Sequence, residues 1–278
     1  MIFGGKRSAT SRVSSGVPQS VLGPVLFLLY TADVLQITQR HGLKSHSYAD
    51  DIQLYCSGKG ATGQTMHARM VACIEEISGW MTANRLKLNT DKTQFIWHGT
   101  RVQLMKVDIN SIKLDGFNIP VSTEVRCLGV VLDGELTFVS HTRQLSRNRF
   151  FQLRQLWSVR RLLTKDAAKT LVHASLLSRI DYCNSVLTRA CAVHLRPLQS
   201  VLHSAARLIL RIRKYDHIST AIREELHWLP GLQRIQFKTC AQMPAWARAI
   251  ILDWHDRVGL QGAWAASSTF CKLQLTVI

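Results

Sequence analysis

Hydrophobic and polar positions alternate with two different periods along the chain, and the change of period divides it into two parts. Before about residue 139, short apolar stretches with a repeat of two are mixed with stretches of helical spacing, which predicts both strands and helices. After Ser140 the repeat is helical, and it predicts helices over 150–163, 167–187 and 195–212. The pattern therefore indicates an α+β first part followed by an all-helical part.

The first part contains the clearest single elements. The apolar run 21–36 predicts a buried helix that begins near Pro24, because proline suits the first turn of a helix. Residues 43–56 predict a strand, a tight turn and a second strand, since polar residues alternate with apolar or small ones on each side. An amphipathic helix that ends near Asn84 follows, with apolar residues spaced by three and four at Met66, Met70, Cys73, Ile74, Ile77 and Met81.

Shorter strands follow this helix and are separated by turn signals such as Asp115-Gly116 and Asp133-Gly134. With the 43–56 hairpin they predict a small antiparallel sheet that packs against helices at 24–37 and 64–83. The predicted strands cover 86–89, 95–97, 112–114, 117–119 and 127–132.

The change of period gives a domain prediction. We expect a mixed region over 1–139, a basic helical region over 140–238 and an unassigned tail over 239–278. Patterning is sparse from Gly259 onward, which predicts an irregular end or a read-through from another reading frame.

Positive charge is concentrated in the helical part. The chain has 35 Lys and Arg against 18 Asp and Glu, a net charge of +17. Between Ser140 and Tyr215 there are 15 basic residues and only two acids, Asp166 and Asp181. This composition favours a polyanionic partner, with nucleic acid ahead of an anionic membrane surface.

Cysteine usage and the N-terminus bound the compartment. The seven cysteines form no CxxC pair, so the sequence supports neither a zinc knuckle nor a disulfide framework, and it predicts reduced thiols in an intracellular, nuclear or cytoplasmic protein. The longest apolar run, 21–29, is too short to cross a bilayer, and residues 1–15 do not resemble a secretory signal.

The sharpest chemical feature is Tyr48-Ala49-Asp50-Asp51 at the tip of the predicted hairpin. Two adjacent carboxylates repel each other unless a cation compensates, and Mg²⁺ is commonly bound by one or two carboxylates together with substrate phosphates. Two such ions would hold the attacking hydroxyl, the phosphoryl group and the leaving pyrophosphate in line. Because aspartate also favours ordinary turns, this tetrapeptide alone leaves both interpretations open.

The surrounding motifs resemble the reverse transcriptase domain of non-LTR retrotransposons, the LINE-like and jockey-like elements of animals. The resemblance covers about residues 16–238, and several ordered motifs are more specific than any one of them. In chain order they are Gly16-Val17-Pro18-Gln19-Ser20 with its following apolar run to Tyr30, Tyr48-Ala49-Asp50-Asp51, Trp80-Met81, Asn84, Leu86-Lys87-Leu88-Asn89, Lys92-Thr93, Leu128-Gly129-Val130 with Asp133 and His141, Asp181-Tyr182-Cys183-Asn184, and Leu226-His227-Trp228-Leu229-Pro230.

The resemblance implies a partial polymerase palm followed by a thumb-like region, and it implies roles for single residues. Asp50 and Asp51 would bind catalytic Mg²⁺ or Mn²⁺. Lys92 would protonate the departing pyrophosphate, although an exposed lysine after a turn is an equal alternative. The RNA template, DNA primer and deoxynucleotide would contact Gly16, Pro18, Gln19, Tyr48 and Ala49, and the primer-gripping strand would contain Cys127, Leu128 and Gly129.

The helical part adds a sequence-independent contact to nucleic acid. Arginines can neutralise phosphates without reading bases. The predicted phosphate contacts are Arg143, Arg147, Arg154, Arg160, Arg161, Arg207, Arg211 and Arg213. Trp157 and Trp228 suit base stacking or core packing, and we expect core packing for both.

The sequence also departs from the family pattern. The family has a third catalytic aspartate upstream of the Gly16 motif, whereas residues 1–15 contain no acid, and a glycine is missing between Gln19 and Ser20. We therefore expect little polymerase activity from this chain alone. The alternatives are a non-enzymatic nucleic-acid-binding remnant, a nuclease or integrase, and a translated sequence that does not fold; the oligomeric state stays open.

Overall fold

The computed structural model describes residues 2–3, 6–7, 23–59, 63–114, 116–241 and 268–276. The chain forms two compact units, Met1–Val125 with Ala266–Ile278, and Arg126–Ala265. The two units meet after Val125, whereas the sequence predicted a boundary after residue 139. The assignment of separate functions to the predicted regions stays a prediction. In the described part of the chain no helix is long and apolar enough to cross a membrane.

Strands and helices alternate through the first unit, as the mixed periodicity predicted. The helices are α1 Gly23–Tyr30, α2 Ala32–Arg40, α3 Gly63–Ala83 and α4 Arg101–Leu104. The strands are β1 Ile2–Phe3, β2 Lys6–Arg7, β3 Lys44–Tyr48, β4 Asp51–Lys59, β5 Gln94–His98, β6 Ser111–Leu114 and β7 Phe117–Pro120.

The core of the first unit lies between its main sheet and α2 and α3. All six apolar positions predicted for the buried face of α3 are buried, and they pack with Ile52, Leu54 and Phe95 from the sheet. Val34 and Ile37 of α2 join the same cluster. The prediction of an antiparallel sheet packed against two helices is confirmed.

The predicted buried helix at 21–36 is helical but largely uncovered. It is interrupted at Thr31, and five apolar side chains of α1 are 46–69% exposed: Val25, Leu26, Leu28, Leu29 and Tyr30. The prediction of burial is wrong for this helix. Its sequence has no polar face, so periodicity carries no information about which side other elements cover.

An added strand completes the main sheet. β10, Ser268–Thr276, lies between β4 and β5 in the order β3-β4-β10-β5, and all neighbouring strands are antiparallel. The prediction of an irregular end is therefore wrong for these residues. Cys271, Leu273 and Leu275 alternate with polar residues, and this short period of two is compatible with a strand.

Two of the shorter strand predictions need correction. Residues 86–89 form no strand. Leu86 and Leu88 are nevertheless buried, so their alternation with polar residues reflects two side chains that enter the core from an irregular segment. The predicted strand 127–132 is instead a hairpin of β8 Glu124–Cys127 and β9 Val130–Asp133. Leu128 and Gly129 have φ of 46° and 85°, and this left-handed pair reverses the chain between the two strands.

Helices make up the described part of the second unit beyond this hairpin, as predicted. The π-helical turn His173–Leu177 and two 3₁₀ segments, Arg160–Leu162 and Asn184–Arg189, interrupt the predicted continuous helices. The α-helices are α5 Val139–Val159, α6 Lys165–Val172, α7 Ser178–Asp181, α8 Ala192–Leu210, α9 Ser219–Glu224 and α10 Gly231–Ala241.

The two tryptophans of the basic region have different environments. Trp228 is buried and makes an edge-on contact with the ring of His173 at 5.5 Å between centroids. Core packing is confirmed for Trp228. Trp157 is 46% exposed on α5, so the same prediction is wrong there.

Acidification is expected to destabilise the chain through His141. Burial, and then the positive charge of Arg126, lower the pKa of His141, whose Nδ1 accepts a hydrogen bond from the Val131 amide at 3.3 Å. The unfolded chain binds this proton more readily, so stability is complete above pH of about 6.5 and falls as the pH drops further. Urea unfolding at pH 7.5 and 5.5 measures the loss.

His173 and His203 add to the same trend, because burial is also the largest cause that lowers the pKa of each. His141→Gln is the matched variant and should reduce the dependence on pH without removing it. Equal stability at both pH values in the unmodified chain would contradict the prediction.

Candidate active site

The paired carboxylates lie where the sequence predicted them, at the tip of a tight hairpin. Tyr48 pairs with Asp51 in the register of β3 and β4, so Ala49 and Asp50 form a two-residue turn. Asp50 is exposed and Asp51 is partly buried. Tyr48 is 62% exposed beside them, so its side chain is accessible to a ligand.

The hairpin is anchored by its strands rather than by its tip. Ile52, Leu54 and Cys56 of β4 point into the core of the first unit and are buried. The hydroxyls of Thr38 on α2 and Ser45 on β3 lie 2.8 Å apart and share a hydrogen bond. The alternation of apolar and polar residues thus holds the strands in place and leaves the carboxylates at the surface.

The turn has an unusual backbone for its residue. Ala49 has φ of 52°, in the left-handed region where a Cβ atom meets the chain and costs on the order of 1 kcal/mol. Such backbone conformations in non-glycine residues concentrate at functional sites. The turn that presents Asp50 and Asp51 therefore contains a backbone conformation at Ala49 that alanine disfavours.

Ala49→Gly is expected to stabilise the chain slightly. Glycine relieves the left-handed conformation, but it gives the unfolded chain more freedom, and the net gain is a few tenths to about 1 kcal/mol. Ala49→Val should instead lower the free energy of unfolding, because a β-branched side chain is disfavoured at positive φ. Urea unfolding of the three chains measures the order, and a valine variant as stable as the glycine variant would contradict it.

Lys92 lies in the turn before β5, at the same end of the strands as the two aspartates. Gln274 of β10 is paired with Gln53 of β4 on one side and with Gln94 of β5 on the other, so β4 and β5 begin at the same end of the sheet. Lys92 is exposed and precedes Gln94 by two residues, as Asp51 precedes Gln53.

The donor set at the tip suits a cation that takes its other ligands from a substrate. Among the described residues, no Lys or Arg nitrogen lies within ion-pair distance of Asp50. The same residues contain no cluster of three or more His, Cys, Asp or Glu side chains that would hold a metal ion. Two carboxylates fit Mg²⁺ that is shared with phosphate and water, and they do not form an all-protein cage.

A second family motif contacts the end of the apolar helix. The hydroxyl of Tyr30, the last residue of α1, donates to the Asn84 carbonyl at 2.8 Å. The rings of Tyr30 and Trp80 lie 6.2 Å apart between centroids. The motif residues Trp80 and Asn84 therefore fix α1 to the end of α3. Gly16, Pro18 and Gln19 lie outside the described residues.

In the second unit, Tyr182 supports the turn between β8 and β9. Its hydroxyl donates to the Leu128 carbonyl at 2.8 Å, and a Cβ atom added to Gly129 would contact its ring at 3.5 Å. The residues predicted to grip the primer, Cys127, Leu128 and Gly129, thus lie at and beside a supported hairpin turn rather than along a strand. Their role stays a prediction.

Asp181 is a structural residue that the sequence reasoning did not assign. The guanidinium of Arg234 binds both of its carboxylate oxygens, and Lys238 lies 3.7 Å from one of them. Both basic residues are on α10, so the ion pairs join α7 to α10. The motif Asp181-Tyr182 was visible in the sequence, but its partners are more than 50 residues away on either side.

The arginines of α5 form a basic face. Arg143, Arg147 and Arg154 are exposed, and separations of four and seven residues bring them to one side of the helix. Arg161, Arg211 and Arg213 are also exposed. These six arginines are accessible at the surface, and their contact with phosphates stays a prediction.

Two of the predicted phosphate contacts have other partners. Arg160 is only 5% exposed, and it donates hydrogen bonds to the carbonyls of Leu163, Leu208 and Ile209. The prediction for Arg160 is therefore wrong, because its guanidinium terminates α8 inside the unit. Arg207 is partly buried and donates to the Asp216 carbonyl at 3.2 Å.

Comparisons with known proteins give a consistent result. The profile of the family described as reverse transcriptase (RNA-dependent DNA polymerase) matches residues 2–132. The RNA-directed DNA polymerase from mobile element jockey of Drosophila funebris is 25% identical over 204 residues, which cover 70% of this chain and 22% of that protein.

Two proteins of Drosophila melanogaster are similarly related. The probable RNA-directed DNA polymerase from transposon X-element is 27% identical over 212 residues, 73% of this chain and 22% of that protein. The one from transposon BS is 29% identical over 167 residues, 56% of this chain and 17% of that protein. The chain thus spans about a fifth of the length of these relatives. No solved structure matches it significantly.

Proposed function

Because residues 2–132 of the chain match the profile of the reverse transcriptase family, we propose that the chain contributes the Asp50–Asp51 hairpin to RNA-directed DNA synthesis by a non-LTR retrotransposon. The observation that carries the proposal is the tight turn that presents two adjacent carboxylates at the start of β4, with Lys92 in the turn before β5 at the same end of the strands. The relatives are named as RNA-directed DNA polymerases.

In this proposal Asp50 and Asp51 bind Mg²⁺ or Mn²⁺ together with the phosphates of the deoxynucleotide. The bound metal would supply Lewis-acid stabilisation of the charge that develops during phosphoryl transfer. Lys92 donates a proton or a hydrogen bond to the departing pyrophosphate, a role that suits an exposed ammonium group. Tyr48 and Ala49 flank the primer end, where the exposed tyrosine side chain packs against the terminal base pair.

The second unit would bind the template–primer duplex. The exposed arginines of α5 neutralise phosphates of the RNA template and DNA primer without reading their sequence. The turn at Leu128-Gly129, which Tyr182 supports, contacts the primer strand. Binding by these groups should weaken steeply with added salt, because each phosphate contact releases condensed counterions.

A second candidate is a nucleic-acid-binding remnant without catalysis. It is favoured by the donor set, since the described residues contain no group of three or more His, Cys, Asp or Glu side chains that could hold a metal ion. The sequence-based expectation of little activity from this chain alone stays a prediction. Metal-dependent nucleotide addition distinguishes the two candidates, whereas salt-sensitive binding is common to both.

The test is single-nucleotide addition to a DNA primer on an RNA template in Mg²⁺ or Mn²⁺. The chain is assayed alone and joined to the upstream polymerase segment of the jockey relative. We expect metal-dependent addition by the joined protein and little by the chain alone. The control is the same upstream segment joined to the jockey polymerase's own counterpart of this chain.

If the control adds nucleotides and the joined protein does not, the catalytic proposal is wrong and the binding remnant is favoured. If the chain alone extends primers well, the expectation of low activity in isolation is wrong. Any nucleotide addition that is observed should be lost in excess EDTA.

A further inference from the structure

Two exposed segments lie at one end of the helical unit. The 3₁₀ turn Arg160–Leu162 follows α5, and the loop 211–217 follows α8. Arg160 joins them, because its Nε and Nη2 donate to the carbonyls of Leu208 and Ile209 at 2.6 and 2.8 Å, directly before the loop. We refer to six of the exposed side chains of these segments as the basic tip: Arg161, Leu162, Arg211, Arg213, Lys214 and Tyr215.

The loop is fixed at its far end as well. Arg207 on α8 donates to the carbonyl of Asp216, and the Asp216 amide donates to the Arg213 carbonyl at 3.3 Å. Ile218, two residues later, is buried in the core of the unit. The tip is therefore a built surface with supports on both sides.

The basic tip displays the two most exposed large apolar side chains of the described residues. Tyr215 is 88% exposed and Leu162 is 87% exposed. Neither side chain contributes appreciably to the core, so packing within the unit does not explain them. A tyrosine ring presented on a supported loop is instead available to an external partner.

Charge indicates what kind of partner fits. Lys214 Nζ lies 5.3 Å from the centroid of the Tyr215 ring, and Arg161, Arg211 and Arg213 are exposed on the same two segments. Asp216 is the only acid of the loop. An aromatic face surrounded by cations matches an unpaired base flanked by phosphates, since bases stack on aromatic rings and phosphates pair with Lys and Arg.

We propose that the basic tip binds single-stranded nucleic acid, with the Tyr215 ring stacked on an unpaired base and the neighbouring cations on its phosphates. This inference rests on the proposed function, in which the helical unit binds nucleic acid. It adds a contact that discriminates single strands from duplexes, because paired bases cannot offer a face to a side chain without unstacking.

The experiment measures fluorescence anisotropy of the full chain with a labelled 12-nucleotide single-stranded RNA and with a 12-base-pair duplex. The variants are Tyr215→Ala, Tyr215→Phe and Arg213→Gln. Phe237→Ala is the matched control, because Phe237 is an exposed aromatic residue on α10 of the same unit. Circular dichroism confirms that each variant is folded.

We expect Tyr215→Ala to raise the Kd for the single strand by about 5- to 100-fold, the range of one lost stacking contact. Its affinity for the duplex should stay within about twofold, as should single-strand binding by Tyr215→Phe, which keeps the ring. Arg213→Gln should reduce the salt slope for the single strand by about 0.7, whereas Tyr215→Ala leaves that slope unchanged.

Unchanged single-strand affinity in Tyr215→Ala, with salt-sensitive binding retained, would refute the stacking and leave the proposed phosphate contacts intact. Equal loss for single strand and duplex would show that the tip does not discriminate them. If the unmodified chain binds neither nucleic acid, both the tip and the proposed nucleic-acid interface are wrong. Tyr215-dependent binding to phosphatidylserine vesicles without RNA binding would assign the tip to a membrane surface instead.

Discussion

Replacing Asp50 with Asn is expected to remove metal binding at the hairpin and to lower nucleotide addition by the joined polymerase on the order of a thousandfold. Asparagine has nearly the same shape and also suits a turn, so the hairpin should fold as before. What it lacks is the negative charge that a divalent cation requires. Asp51→Asn should reduce binding in the same direction.

Electron paramagnetic resonance of Mn²⁺ titrated into the chain measures binding directly, without requiring catalysis. Asp108→Asn is the matched control, since Asp108 is an exposed acid of the same unit outside the hairpin. Mn²⁺ binding by Asp50→Asn with the affinity of the unmodified chain would place the metal elsewhere. Loss of binding in the Asp108 variant would show a diffuse effect of total charge.

Truncation after residue 267 is expected to unfold the first unit. The deletion removes β10, which pairs over nine residues with β4 and over five with β5. With about 1 kcal/mol for each net backbone hydrogen bond, the loss is on the order of 10 kcal/mol, as large as the whole stability of a typical domain. It also leaves β4 and β5 without a partner between them.

Hydrogen–deuterium exchange of residues 51–59 and 94–98 reports on this loss, together with the near-ultraviolet circular dichroism to which buried Trp97 contributes. Truncation after Thr276 keeps every pair of β10 and is the matched control. If the chain truncated after residue 267 protected residues 51–59 and 94–98 from exchange as well as the control does, the assigned sheet order would be wrong.

Local periodicity was sufficient to predict those elements whose hydrophobic and polar positions repeat within the element itself. The six apolar positions of α3 and the alternation on both sides of Asp50 identify the helix and the hairpin, because each pattern lies within one element. The same holds for the hairpin around Gly116, whose turn residue has the positive φ that glycine permits. The carboxylate pair was therefore placed correctly from sequence.

What the sequence did not predict depends on contacts between distant residues. The sequence around Arg160 is the same as expected for an exposed arginine. Only the tertiary structure brings its guanidinium to the carbonyls of Leu208 and Ile209 in the last turn of α8, where it is buried. The apolar helix α1 was expected to be buried, yet its cover depends on other elements. Lys92 was assigned by resemblance, and only the register of β10 with β4 and β5 shows that its turn lies at the same end of the strands as the carboxylates.

The central position of β10 also delays completion of the main sheet during synthesis of the chain. A ribosome releases β3, β4 and β5 long before it has translated Ser268–Thr276, so the main sheet waits for its middle strand while the helical unit emerges. Pairing across so many intervening residues is slow, because the chain loses the conformational entropy of a long loop before the stabilising contacts of the strands form. During translation the nascent sheet therefore has two open edges that chaperones would need to shield.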